Sequence, residues 1–448
     1  MGKHIVRLSS CVAVLALSGC SGVATPVDNG PTVQVAQATA ARVPASSISP
    51  QSLSAAVTAN NAFALDLYSR VSADAQSSNL MTSPASASLA LTMTYAGAAG
   101  QTATEMAAAL HLGAAAGQTI FDGQNALSQA IASRGRAALA AKQDAGQTAG
   151  SASDYDLRVV NAVWGDKTVP WAMPFLNTLA TSYGAGVYLQ DFIGHAEQAR
   201  LAINDWVRLQ TSDKIKDLLP AGSIDPSTLI VLVNAFHLKF PWATPFDPSV
   251  TAPGTFALTD GTMVSPSFMN QTTQISYVDD GQAQVAWLPL SNNQISVVVA
   301  LPHAGVNIAT YEGSLTATSA ALVQPRSSAL VALSIPKATF TSKTFSLVKA
   351  LEEMGMMQAF GAMADFSGMG TGLYLSNVFQ KATVSMQETG VEASAATAVI
   401  GGNTSGSGSA TPPVSMVVNR PYLVAIVDTT GAVLVLGHIM DPTDSGSP

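Results

Sequence analysis

From Leu53 the apolar positions of "LSAAVTANNAFALDLYSRV" recur at helical spacing. "SPASASLALTMTYAGAAG" and "TATEMAAALHL" continue as helices parted by a glycine turn, with Thr102 and Thr104 as N-caps. Residues 113–155 are rich in Ala, Gln and Gly, with helix character followed by a loose loop. "LRVVNAVWG" then reads as a strand and "AEQARLAINDWVRLQTSDKIKDLL" as an amphipathic helix. "STLIVLVNAFHLKF" is a long apolar run bounded by proline, the pattern of a central strand buried on both faces. Strands dominate from there to Phe340. "TFSLVKALEEMGMMQAF" predicts a helix, "VFQKATVSMQETG" a strand, and "PYLVAIVDTTGAVLVLGHIM" two strands around the turn "DTTG". Helices come first, strands later, with no internal repeat, which predicts a single interlocked α+β domain.

Composition supports a large core: of 448 residues, 48% are hydrophobic and only 11% charged. A net charge of −8 argues against a nucleic-acid surface. The first residues stand apart. Lys3 and Arg7 precede the short apolar run "LSSCVAVLALSG", too short to span a bilayer. It ends in "LSGC", Leu17 to Cys20, which resembles the lipobox of bacterial lipoprotein signal peptides. The reading is a signal peptide over 1–19 and a lipidated Cys20, with residues 20–50 a Pro/Ala/Ser-rich tether and 51–448 the domain. The alternatives are an ordinary secretory signal cut nearby or an uncleaved core segment. Cys11 would leave with the leader, so the mature domain would hold no disulfide. Lipidation would place the protein in a bacterial cell envelope, held to the membrane by lipid alone. Ser21 fits outer-membrane sorting.

No catalytic motif is present. The histidines (His4, His111, His195, His237, His303, His438) are scattered, and no HExxH, P-loop, G-x-G-x-x-G or G-x-S-x-G occurs. Met354, Met356, Met357, Met363 and Met369 read as core filler, not ligands. The expectation is no enzyme, no cofactor and no metal.

"ETGVEASAATAV", Glu388 to Val399, is different. As a strand it would put Val391, Ala393, Ala395, Thr397 and Val399 on one face, all small, apolar or β-branched. Glu392, Ser394, Ala396 and Ala398 would occupy the other. It follows a strand and runs into Gly and Ser. Two readings stand: an Ala-rich linker, or a loop able to convert into a strand.

The order of longer segments bears on that choice. "NLMTSPASASLALTMTYAGAAGQTATEM", "INDWVRLQTSDKIKDLLPAGSIDPSTLIVLVNAFHLKFPWATPF", "LEEMGMMQAFGAMADFSGM", "QETGVEASAATA" and "NRPYLVAIVDTTGAVLVLGHIMDP" resemble serpins, in the family's order, from about Leu53 to Pro442. The resemblance implies three β-sheets, about nine helices and an exposed reactive-centre loop, here about 388–418. It implies inhibition by suicide substrate. A protease attacks the loop and forms an acyl-enzyme, and the freed loop inserts as an extra antiparallel strand that carries the protease with it. The target would be a serine protease, or a papain-like cysteine protease, and the inhibitor a monomer.

Carried over residue by residue, the resemblance makes Glu388, Gly390, Val391, Glu392, Ala393, Ser394, Ala395, Ala396 and Thr397 the hinge. Val391 stands where the family usually has Thr or Ser; its shape is close to that of Thr. Asn79, Ser83, Ser86, Asn234 and Gln380 match the shutter beneath the opening sheet, with Gln380 where the family often has His. Trp242 matches the breach at the top. Counting forward from Gly390 gives Thr404–Ser405 as the reactive bond, whereas counting back from Asn419 gives about Ala410–Thr411. Insertion length is measured from the hinge, so Thr404–Ser405 is preferred, with Val399 or Ile400 as an earlier cleavage point. A small uncharged residue there points to elastase- or subtilisin-like proteases. Glycosaminoglycan activation is not expected, since only Arg134, Arg136 and Lys142 lie in the relevant segment. The other reading is a non-inhibitory surface serpin that acts as a binding module or a simple protease substrate.

Overall fold

The computed structural model describes residues 33–113, 117–144, 156–291, 293–316, 322, 325, 327–391 and 412–446. The chain opens with a short strand, β1 (Gln34–Ala36), before helix α1 (Pro50–Ala73). Ser49 caps α1 by accepting from the Ser52 N–H, and Pro50 sits at the first turn. Strand β2 (Leu80–Thr82) leads into α2 (Pro84–Tyr95), α3 (Gly100–Ala109) and α4 (Gln118–Asp144). Next come β3 (Asp156–Asp166), α5 (Met173–Thr178), β4 (Val187–Gln190), α6 (Phe192–Gln210) and β5 (Ile230–Pro241). Short strands β6 (Ala252–Pro253), β7 (Phe256–Ala257) and β8 (Met263–Val264) precede β9 (Ser267–Asp279), β10 (Ala283–Pro289) and β11 (Ile295–Pro302). Helix α7 (Ile308–Ser314), β12 (Ser328–Pro336), β13 (Ala338–Thr341), β14 (Phe345–Ser346) and α8 (Val348–Glu353) follow. The last elements are β15 (Asn377–Gln387), β16 (Gly390–Val391), β17 (Val414–Val417), β18 (Tyr422–Asp428) and β19 (Val433–Ile439).

The strands form three sheets. The main sheet runs β1-β4-β3-β5-β16-β15-β13, with β14 also on β15. A second runs β17-β12-β9-β10-β11-β18-β19-β2, with β6 on β9, and β7–β8 make a hairpin. The expected α+β architecture with three sheets holds; eight α-helices lie among the described residues, against about nine expected.

β5 explains why this sheet has two covered faces. Val231, Val233 and Ala235 pack with Ile203 and Val207 of α6. Phe236, Leu238 and Phe240 point the other way, into the core shared with the second sheet. Alternation in a strand buried along nearly its whole length therefore serves two layers at once.

Several expectations need correction. The segment from 20 to 50 is not all tether: β1 pairs Gln34–Ala36 with Leu189–Val187, the Val43 N–H bonds Thr181 O, and Arg42 bonds Asn125. Only residues 21–32 remain for a tether, and they lie outside the described residues, as do 1–19 and Cys20. Thr102 and Thr104 are not caps but lie inside α3, where buried Thr102 accepts from the Asp365 N–H. α6 stops at Gln210, because Ser212 and Asp213 take positive φ and Thr211 Oγ1 accepts from the Ile215 N–H. The helix expected over 344–360 shrinks to α8. Phe345 and Ser346 pair instead with Gln380 and Phe379, and Gly355 turns the chain at φ +96°. Of the methionines, Met356 and Met369 fill the core, while Met357 and Met363 are exposed.

Candidate reactive-loop site

β5 and β15 run parallel and pair directly over Val231–Phe236 and Asn377–Ala382. Above that seam they part, and β16 sits between them. Gly390 and Val391 pair with Gln387 and Met386 of β15 and with Pro241 and Phe240 of β5, antiparallel to both. The chain reverses over Glu388–Thr389 and heads back down the sheet.

Sequence fixes this wedge. A Cβ on Gly390 would lie 2.2 Å from Phe240 O and 2.5 Å from Pro241 Cα, so only glycine fits so close to β5. Val391 is 1% exposed and belongs to the same apolar cluster as Phe240, Trp242, Phe246 and Met386. Its inward direction agrees with the alternation read from sequence. Trp242 holds the turn: its backbone N–H donates to Thr389 O (3.1 Å) and its indole Nε1 to Gln387 O (2.8 Å). The Phe246 N–H donates to Glu388 O at 2.9 Å. The Glu388 carboxylate meets Lys337 Nζ at 2.9 Å in a partly buried ion pair. Burial pushes this carboxyl up, but the Lys337 hydrogen bond, its own backbone N–H and the Lys337 charge outweigh that and hold it below its ordinary value.

Beneath the wedge, Gln380 closes the seam. It is fully buried and saturated: Nε2 donates to Asn234 Oδ1 (2.8 Å) and Ser83 O (2.9 Å), and Oε1 accepts from Thr82 Oγ1 (2.6 Å) and the Ser83 N–H (3.0 Å). Ser83 Oγ reaches on to Leu434 O, tying α2 to the second sheet. Asn234 Nδ2, also buried, has no hydrogen-bond partner among the described residues. A strand entering between β5 and β15 would have to break the Gln380–Asn234 bond.

Ser83, Asn234 and Gln380 therefore meet as one cluster. Ser86 lies beside it, 2.7 Å from the Asn161 amide of β3. Asn79 is engaged elsewhere, donating to Asp441 O and Asp444 O and accepting from the Met440 and Asp441 N–H groups. Thr82 and Lys337 were not singled out from sequence. Thr82 is an ordinary strand residue until Gln380 is seen against it, and Lys337 meets Glu388 only through the fold. The hinge residues Glu392, Ala393, Ser394, Ala395, Ala396 and Thr397, and the bond Thr404–Ser405, lie outside the described residues. Among the described residues no group of His, Cys, Asp and Glu could hold a metal ion, and no helix is long and apolar enough to cross a membrane.

A two-residue strand poised at the head of a closed parallel seam is the geometry expected for a loop that inserts. The family model for serpin (serine protease inhibitor) matches residues 58–442. The chain belongs to the serpin family. It is 31% identical to Serpin B3 of Homo sapiens over 392 residues, 86% of this chain and 98% of that protein. It is 30% identical to the leukocyte elastase inhibitor of Sus scrofa over 395 residues, with the same coverage. Among solved structures, human thyroxine-binding globulin complexed with thyroxine superposes with a TM-score of 0.72 at 27% identity, covering 88% of this chain and all of that one. The thermophilic serpin tengpin in its native state gives 0.75 at 23% identity, covering 91% and 99%; that likeness concerns the fold alone.

Proposed function

We propose that this serpin inhibits a serine-type protease by the suicide-substrate route. The observation that carries the reading is β16, the first turn of the loop already bonded between β5 and β15 and aimed down their seam. Cleavage at Thr404–Ser405 would free the chain after Val391 to follow. Inserting about a dozen residues makes on the order of ten backbone hydrogen bonds at ~1 kcal/mol each, with side-chain burial in addition. The loss is the direct β5–β15 pairing and the Gln380–Asn234 bond. The resting state is then a kinetic trap. The uncharged residue at 404 and the likeness to a leukocyte elastase inhibitor favour elastase- or subtilisin-like targets. The protein acts as a monomer, and no catalysis of its own is invoked. Cys20 carries the lipid that holds it in a bacterial envelope, at the outer membrane; the support is the Leu17–Cys20 pattern and Ser21.

The second reading is a binding module whose loop is presented or merely cleaved. It draws on the Gly/Ser-rich loop centre and on the presence of thyroxine-binding globulin among the similar structures. One experiment separates the two. The whole chain with Cys20→Ser is incubated with elastase, subtilisin and trypsin and run on a denaturing gel with intact-mass analysis. A covalent species at the summed mass supports inhibition, and the released peptide locates the bond. Cleavage without a complex, leaving the protease active, favours the binding module.

A further inference from the structure

Away from the hinge and the β5–β15 seam, Tyr68 near the end of α1, Glu312 of α7 and His438 of β19 meet in the core. Tyr68 is 2% exposed, His438 1%, and the Glu312 side chain 8%. Glu312 Oε1 lies 2.7 Å from both Tyr68 Oη and His438 Nδ1, and those two atoms lie 2.9 Å apart. On the other side of the ring, Nε2 donates to Ser78 O (3.0 Å) and Ala75 O (3.2 Å), in the loop that leads from α1 into β2.

Counting hydrogens shows what holds this cluster closed. Two carbonyl oxygens face Nε2, so that nitrogen carries a hydrogen. Tyr68 keeps its own and donates to Glu312, because burial, the Glu312 charge and the bond to Glu312 push the hydroxyl well above its ordinary value. The short contact between Nδ1 and Oε1 needs a further proton, on the ring or on the carboxyl. Without it, a neutral imidazole would set its lone pair against a carboxylate in a buried site. Among the described residues no other charged group bonds His438. Asp66 pairs with Arg70 and His111, Asp74 with Lys349, and Asp428 with Arg134. Tyr311 donates to Asp280, Tyr422 packs in the separate inter-sheet core, and β2 holds no titratable residue.

We propose that Tyr68, Glu312 and His438 form a proton-dependent latch on the loop before β2, closed while the proton is held and opened as the pH rises. Loss of the proton drives Nδ1 and Oε1 apart, and the ring gives up its hold on Ala75 and Ser78. The effect points towards the seam, because Leu80 of β2 is the register partner of His438 and Thr82 of β2 donates to Gln380.

The test is hydrogen exchange of the whole chain carrying Cys20→Ser, from about pH 5.5 to about pH 8, the span in which histidine ordinarily titrates. Rates are read as protection factors, which removes the intrinsic pH dependence of exchange. Protection over residues 75–82 should fall at least tenfold as the pH rises, while that over 231–236 stays constant. His438→Lys keeps a positive charge against Glu312 throughout the span and should hold protection at its low-pH level. Glu312→Gln offers Nδ1 an amide hydrogen that no pH in the span removes, and should do the same. Constant protection with His438 and Glu312 in place, or a fall of the same size in both variants, would each overturn the proposal. The readout is independent of protease inhibition, so it stands or falls apart from the proposed function.

Discussion

Val391→Glu probes loop insertion at a residue whose surroundings are defined. Val391 is 1% exposed, with Phe240 and Met386 as its register partners and the apolar inter-sheet core beneath it. Removing the valine forfeits about 1.5–3 kcal/mol of burial. Burying an ionised carboxylate there costs several kcal/mol more, and neutralising it first is also unfavourable. The glutamate therefore keeps the hinge outside the sheet. If ~4 kcal/mol of this is felt in the insertion step, insertion slows on the order of a thousandfold. Hydrolysis of the acyl-enzyme then wins, and an inhibitor becomes a substrate. The assay is the stoichiometry of inhibition against whichever protease forms the complex, read with the gel that shows complex and cleaved product. Val391→Thr, which keeps the shape and adds a hydroxyl, should retain most of the complex. β16 adds only two residues to the main sheet, so the uncleaved glutamate variant should keep its circular dichroism spectrum. A glutamate variant that traps the protease at wild-type stoichiometry would refute the inward role of this face.

Other outcomes follow from the same geometry. Gly390→Ala places a methyl against Phe240 O and Pro241 Cα, so β16 should leave the sheet; hydrogen exchange at residues 386–391 would show lost protection, and unchanged protection would contradict the steric argument. Gln380→Ala strands Asn234, Thr82 and Ser83 in a buried site and should lower stability by about 2–4 kcal/mol in denaturant titration, while easing spontaneous separation of β5 from β15. Because the folded-state pKa of Glu388 is depressed, its contribution is full above the ordinary carboxyl range and is lost as the pH falls below about 4.3. Lys337→Met should reduce that part of the acid dependence of melting, and an identical pH profile in the variant would exclude the ion pair as its source. Ala395→Arg, on the face that alternation makes inward, should likewise give a substrate in place of an inhibitor.

What could be read from sequence followed how local the signals are. The length of α1 and the double-sided burial of β5 lie in continuous patterns, so the chain states them outright. β1 does not: three residues carry no period, and they become a strand only because β4 offers an open edge. Phe345 and Ser346 read as helix until β15 supplies a partner, which shortens the element to α8. Within the site, Gly390, Val391 and Trp242 were legible because the hinge and its breach are contiguous motifs. The Lys337–Glu388 pair and the Thr82–Gln380 bond join segments far apart in the chain, and no spacing rule announces them. Asn79 matched by motif, yet its side chain is wholly taken up by the C-terminal tail.

The central claim is that β16 is the start of a strand that can run the length of the β5–β15 seam. Thermal unfolding of the protein before and after a single cut in the loop tests it most directly. Insertion adds on the order of ten hydrogen bonds and buries the small inward face, so the cut protein should melt more than about 10 °C above the intact one. A cut protein that melts at or below the temperature of the intact chain would mean that the loop stays outside the sheet, and the mechanism would fail with it.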